Sequence, residues 1–104
     1  MSEFESFGFL AWFGWGSILT AEAYRCVGEF DRAATFVARG LDVATKVGYW
    51  YGVGFGERVI GRIARDRGRH EEAAAAFTKS LHTFDRIGAR FEAERARREC
   101  KETT

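Results

Sequence analysis

Apolar and small side chains recur at intervals of three and four along Gly68–Ile87, where Ala73, Phe77, Ser80, Leu81, Phe84 and Ile87 fall on one stripe. Glu72, Lys79, His82 and Arg86 fall on the other side, so the spacing predicts an amphipathic α-helix. The same period runs through Asp31–Lys46, with Ala33, Val37, Leu41, Ala44 and Val47 on the apolar stripe. It returns in Trp50–Asp66, where Val53, Ile60, Ile63 and Ala64 are expected inward. A shorter helix is expected from Arg90 to about Lys101, with Phe91 and Ala96 covering what precedes it. Glu92, Glu94, Arg95, Arg97, Arg98 and Glu99 of that helix are expected to face water. Phe9–Cys26 completes a set of five. None of these helices buries enough surface to stand alone, so they must pack on one another.

Glycine punctuates the chain, because proline is absent and glycine numbers 12. Gly28, Gly48, Gly68 and Gly88 end periodic stretches, and Gly48 is suited to a left-handed helix stop. Asp31 suits the positive end of the next helix dipole. Gly56 and Gly61 lie inside a helix, each costing about 0.5–1 kcal/mol relative to alanine unless close packing offsets it. Sliding the chain by forty residues matches Gly8 with Gly48, Gly14 with Gly54, Gly16 with Gly56 and Arg25 with Arg65. Gly28 then meets Gly68, Ala33 meets Ala73, Leu41 meets Leu81 and Val47 meets Ile87. The register defines two helix pairs, residues 8–47 and 48–87, and a final half-unit, 88–101, whose polar character suits the cap of an array. The expected fold is a single all-α domain of five helices, an α-α superhelix of stacked antiparallel hairpins.

Composition narrows the functions. A net charge of +1 supplies no field to gather nucleic acid. Ser6–Ala21 carries no charge, but it falls short of the ~20 apolar residues that a membrane crossing needs and contains Gly8, Gly14 and Gly16. A buried helix is the expectation there, with no membrane partner. Cys26 and Cys100 lie far apart with no second thiol nearby, which fits reduced structural cysteines and a cytoplasmic setting. They offer no zinc spacing, and His70 and His82 read as surface histidines. Gly48–Gly56 has a Gly-x-Gly look, but it follows a helix rather than a strand and lacks the acidic partner of a dinucleotide site. No nucleophile has a base and an orienting group in view, so a non-enzyme without cofactor or metal is expected.

The chain resembles the tetratricopeptide repeat family. Ile60-Gly61, the Gly68 turn, Ala73, Phe77 and Ser80 fill the family's Leu-Gly, turn, alanine, aromatic and small positions in the second unit. Tyr24, Gly28, Ala33, Val37 and Gly40 do so in the first. The period is forty rather than about thirty-four, Thr45 and Asp85 stand where proline is usual, and Ala64 replaces an aromatic. The longer period is similar to that of extended repeats in large bacterial signalling proteins, such as multidomain ATP-binding transcriptional activators and nucleotide cyclases. The resemblance implies a protein–protein interaction or scaffold module, expected as part of a larger regulatory protein.

Two surfaces are candidates for that role. The resemblance implies a partner-binding groove lined by Trp15, Ile18, Glu22 and Arg25 in the first unit, Phe55, Arg58, Arg62 and Arg65 in the second, and Arg95 and Arg98 in the last. Arginines at these spacings suit an acidic peptide or a C-terminal carboxylate, which guanidinium grips with two parallel hydrogen bonds. The competing expectation is a solvated face neutralised by Glu57, Asp66, Glu94 and Glu99. The second surface is aromatic: all aromatic residues but Phe77, Phe84 and Phe91 lie at or before Phe55. Phe4, Phe7, Phe9, Trp12, Phe13 and Trp15 crowd the first helix, more than one inward face holds, so self-association as a homodimer or docking on further repeats is expected. A rival expectation is a small-molecule pocket among Trp12, Trp15, Tyr49 and Trp50.

Overall fold

Five α-helices account for nearly all of residues 2–103, the part of the chain that the computed structural model describes. They are α1 (Glu3–Cys26), α2 (Phe30–Val47), α3 (Trp50–Asp66), α4 (His70–Arg86) and α5 (Arg90–Thr103), with no strand among the described residues. The expected all-α architecture is the one adopted. The largest difference in boundaries is at α1, which starts at Glu3 rather than Phe9. Ser2 caps it, its Oγ accepting from the Glu5 N–H at 3.1 Å, and Glu3 and Glu5 lie at the positive end of the dipole.

Four corners of one design join the helices. At each, the glycine N–H donates to the carbonyl three residues back and the next residue donates to the carbonyl five back. Gly48 bonds Thr45 at 3.2 Å while Tyr49 bonds Ala44 at 2.8 Å, and the same pairing recurs at Gly28, Gly68 and Gly88. This is the Schellman closure, which satisfies helix-end carbonyls that otherwise lack donors. The φ of 72° at Gly48 lies in the left-handed region, where a Cβ would crowd the backbone. Ala33, Val53, Ala73 and Ala93 then donate to the first carbonyl past each corner, and all four are buried.

Neighbouring helices run antiparallel. In the first pair Gly14 lies against Gly40 and Ala44, and further along Tyr24 stacks on Phe36 with centroids 5.4 Å apart. In the second, Gly54 faces the Phe84 ring and Gly61 faces the Phe77 ring, both so closely that an added Cβ would sit 2.8 Å from ring carbon. The buried Ser80 Oγ donates to the Gly54 carbonyl at 2.7 Å, tying α4 to α3. Here lies the reason for glycine inside α3: losing the side chains lets two phenylalanine rings reach the helix backbone, and both rings are fully buried.

Helices α1 and α3 lie side by side and parallel. Trp15 meets Phe55 at 5.1 Å between centroids, Glu22 meets Arg62 at 3.5 Å, and Arg25 meets Asp66 at 2.6 Å. Ile18, Ala21, Ala33, Val37, Val59 and Ile63 form the core between the two hairpins. Three expected core residues are not there. Ile60 is 37% exposed, on the floor of an open groove of about 590 Å³ where α2 and α4 stand apart above α3. Ile87 is exposed beyond the end of α4. Phe91 is 73% exposed because α5 docks through Ala93 and Ala96, whose small side chains bring the helix close and leave Phe91 outside.

Candidate functional site

The arginine stripe is not an open groove. Arg58 is fully buried: its Nη2 donates to the Glu92 carboxylate at 2.6 Å and to the Glu92 carbonyl at 2.9 Å. Its guanidinium lies between the Phe55 and Phe84 rings, 5.1 and 5.2 Å from their centroids, while Nε and Nη1 have no hydrogen-bond partner. Arg62 donates to Glu99 at 2.6 and 3.1 Å and faces Glu22 from the other side. Arg25 joins Glu22 to Asp66, and Arg65 adds a longer contact to Asp66 at 3.3 Å. The expectation that Glu92 and Glu99 face water is thus corrected. Both reach under α5, because a carboxylate beside a buried guanidinium offsets the cost of leaving water. Ile18, expected to line the groove, is fully buried in the core, and Trp15 and Phe55 are half-buried against each other. Arg95 and Arg98 are exposed. The acidic occupant expected for these arginines is supplied within the chain.

The electrostatics follow from the ladder. Burial alone pushes the Glu22 carboxyl up, but hydrogen bonds and charge from Arg25 and Arg62 outweigh it and hold the group below the usual carboxylate range. Burial likewise works against the Arg62 charge, and Glu99 with Glu22 more than restores it. Burial raises the Tyr49 hydroxyl, with Tyr51 adding to the effect.

The aromatic face of α1 is open. Trp12 is 75% exposed and Phe9 60%; Phe13, Phe7, Leu19 and Leu10 are exposed too. The Phe4 side chain lies outside the described residues. Trp15 turns the other way, meeting Tyr49, Tyr51 and Phe55. At 3.6 residues per turn, Phe9, Trp12, Phe13, Gly16, Leu19 and Ala23 share an arc of about 120°, opposite the arc of Gly14, Ile18 and Ala21 that packs inward. From Phe9 onward that outer arc carries no charge, whereas α4 turns Glu72, Lys79, His82 and Arg86 outward. The signal in the sequence is an uncharged run without an amphipathic period: it offers more apolar surface than one inward face can bury, and the outer part of that surplus is what stands exposed.

The forty-residue register says what such an arc does elsewhere in the chain. Gly52, Val53, Gly56, Val59 and Ile63 of α3 match Trp12, Phe13, Gly16, Leu19 and Ala23, and all five are buried. Val59 and Ile63 meet Ile18, Ala21, Ala33 and Val37 of the first hairpin, and Gly56 lies under Leu41. On α1 the same arc has no such cover.

The aromatic residues do not converge on one pocket. Phe7, Trp12, Trp15 and Tyr49 line an open hollow of about 330 Å³, but Trp50 lines a separate one with Thr83, Arg86 and Ile87. Among the described residues no cluster of His, Cys, Asp or Glu has metal-binding geometry, and no helix is long and apolar enough to cross a membrane. Cys26 and Cys100 are unbonded thiols. No known protein family, characterised protein or solved structure matches the chain.

Proposed function

We propose that this chain is a non-catalytic protein-interaction module, a scaffold element of tetratricopeptide-like hairpins that docks other helical protein through the outer face of α1. The observation that carries this reading is the uncharged arc of Phe9, Trp12, Phe13 and Leu19, exposed on α1, although Gly56, Val59 and Ile63, the α3 counterparts of Gly16, Leu19 and Ala23, are buried against the first hairpin. A large exposed apolar patch costs solubility and is retained where something covers it. Flat aromatic area with one open edge suits a binding anchor, since tryptophan dominates interface energetics when it becomes desolvated. The setting proposed is the cytoplasm, where two unbonded thiols stay reduced, within a larger bacterial regulatory or signalling protein. Co-purification from the native host, identification of the bound protein and rebinding of it in purified form test the proposal. Trp12→Ala should weaken that binding by about 30-fold, the effect of losing a central anchor worth ~2 kcal/mol. Unchanged affinity in Trp12→Ala and in Phe13→Ala would refute α1 as the docking surface.

A further inference from the structure

Resting on that reading, we infer that the partner covering the outer face of α1 is a second copy of this chain, paired head to head and antiparallel about Gly16. Area is the first support. Phe9, Trp12, Phe13 and Leu19 alone expose roughly 500 Å², given that an aromatic side chain covers 150–250 Å². That is more than half of the ~800 Å² per partner of a standard stable interface.

Self-complementarity is the second. The arc carries no charge from Phe9 to Ala21, so two copies meet without repulsion or stranded ions. An antiparallel pairing centred on Gly16 sets Phe9 against Ala23, Trp12 against Thr20 and Phe13 against Leu19. Large side chains thus oppose smaller ones, and the two helix dipoles oppose each other. At the centre, the space where a Gly16 Cβ would stand holds no atom within 4 Å, so a second helix can approach closely. A shallow groove of about 330 Å³ lined by Trp12, Phe13, Gly16, Ser17, Thr20 and Phe36 runs beside it and receives the partner's rings.

The far end of the molecule decides the symmetry. The outer side of α5 presents Arg90, Glu94, Arg95, Arg97 and Arg98, all exposed, and it does not match the arc on α1. Head-to-tail stacking would press that charged face onto Trp12 and leave ions buried unpaired, whereas head-to-head pairing uses one face twice and closes at two chains.

Sedimentation of the full chain at about 100 μM, where a Kd near 1 μM leaves almost every chain paired, should give twice the 11.8 kDa monomer mass. Trp12→Lys should return the mass to that of a monomer with helix content unchanged, since Trp12 is 75% exposed and supports nothing inside the chain. In a Cys26→Ser, Cys100→Ala background, mild oxidation should cross-link Gly16→Cys between chains and leave Lys79→Cys uncross-linked. A monomeric wild type, a dimer that survives Trp12→Lys, a ladder of higher oligomers, or cross-linking at 79 in preference to 16 would each overturn the pairing. A monomer whose separately purified partner still loses affinity in Trp12→Ala would remove the self-pairing alone and leave the docking surface standing.

Discussion

Replacing Glu92 with alanine strands the one fully buried cation described in the chain. Arg58 now has its Nη2 on the Glu92 carboxylate at 2.6 Å; after Glu92→Ala it keeps only the backbone carbonyl at 2.9 Å, with Nε and Nη1 already unpaired. Breaking a buried pair from one side costs about 3–5 kcal/mol when the surroundings hold still. They need not hold still, because α5 is the last helix and can peel away to let water reach the guanidinium. Its docking free energy therefore caps the loss, and we expect about 2–3 kcal/mol, a large share of the 5–15 kcal/mol typical of a domain. At about 4–8 °C per kcal/mol for a chain of this size, the midpoint of thermal unfolding should fall by at least ~8 °C. Urea titration followed by far-ultraviolet circular dichroism measures the change, with the slope reporting whether α5 has detached. The second substitution discriminates. Arg58→Met in the Glu92→Ala background removes the stranded charge and fills the path between the Phe55 and Phe84 rings with an apolar stem. The double variant should regain at least half of the lost stability, as befits a position whose counterpart in the first unit is the fully buried Ile18. If Glu92→Ala lies within ~0.5 kcal/mol of the parent, or Arg58→Met restores nothing, the reasoning from a buried ion pair fails.

Two further outcomes are expected. Gly61→Ala puts a Cβ 2.8 Å from the Phe77 ring, and overpacking of 1–3 kcal/mol should outweigh the helix propensity gained, lowering the urea midpoint. Gly8→Ala, with open space around it, should raise the midpoint by up to ~1 kcal/mol equivalent; the same sign at both sites would refute the packing account. Glu22 has a depressed pKa in the folded chain, so the stability it contributes is present above the ordinary glutamate value of about 4.3 and is lost as pH falls through its lowered value. Glu22→Gln should therefore be destabilised at neutral pH and show a shallower acid decline; an unchanged acid profile would count against the ladder.

Much of the fold was legible because it rests on local rules. The 3.6-residue period placed α2, α3 and α4 to within a residue or two, and glycines at 28, 48, 68 and 88 marked each corner, since left-handed closure favours glycine whatever the tertiary context. The candidate site was legible only in part. The crowding of Phe9, Trp12 and Phe13 exceeded one inward face, and that excess is what stands exposed. The charged residues misled. Helical spacing puts Arg58 and Arg62 on one stripe, but it cannot say that α5 returns across them.

What the sequence by itself determined, then, is the helices, their stops and the surplus of apolar surface on α1: each follows from the chemistry of neighbouring residues along one chain. Tertiary structure alone decided which charges meet. Glu92 and Glu99 are more than thirty residues from Arg58 and Arg62, and only the docking of α5 through Ala93 and Ala96 turns a basic stripe into paired, half-dry ion pairs. A period along a helix fixes the direction of a side chain; whether water or another helix lies in that direction depends on residues far away in sequence.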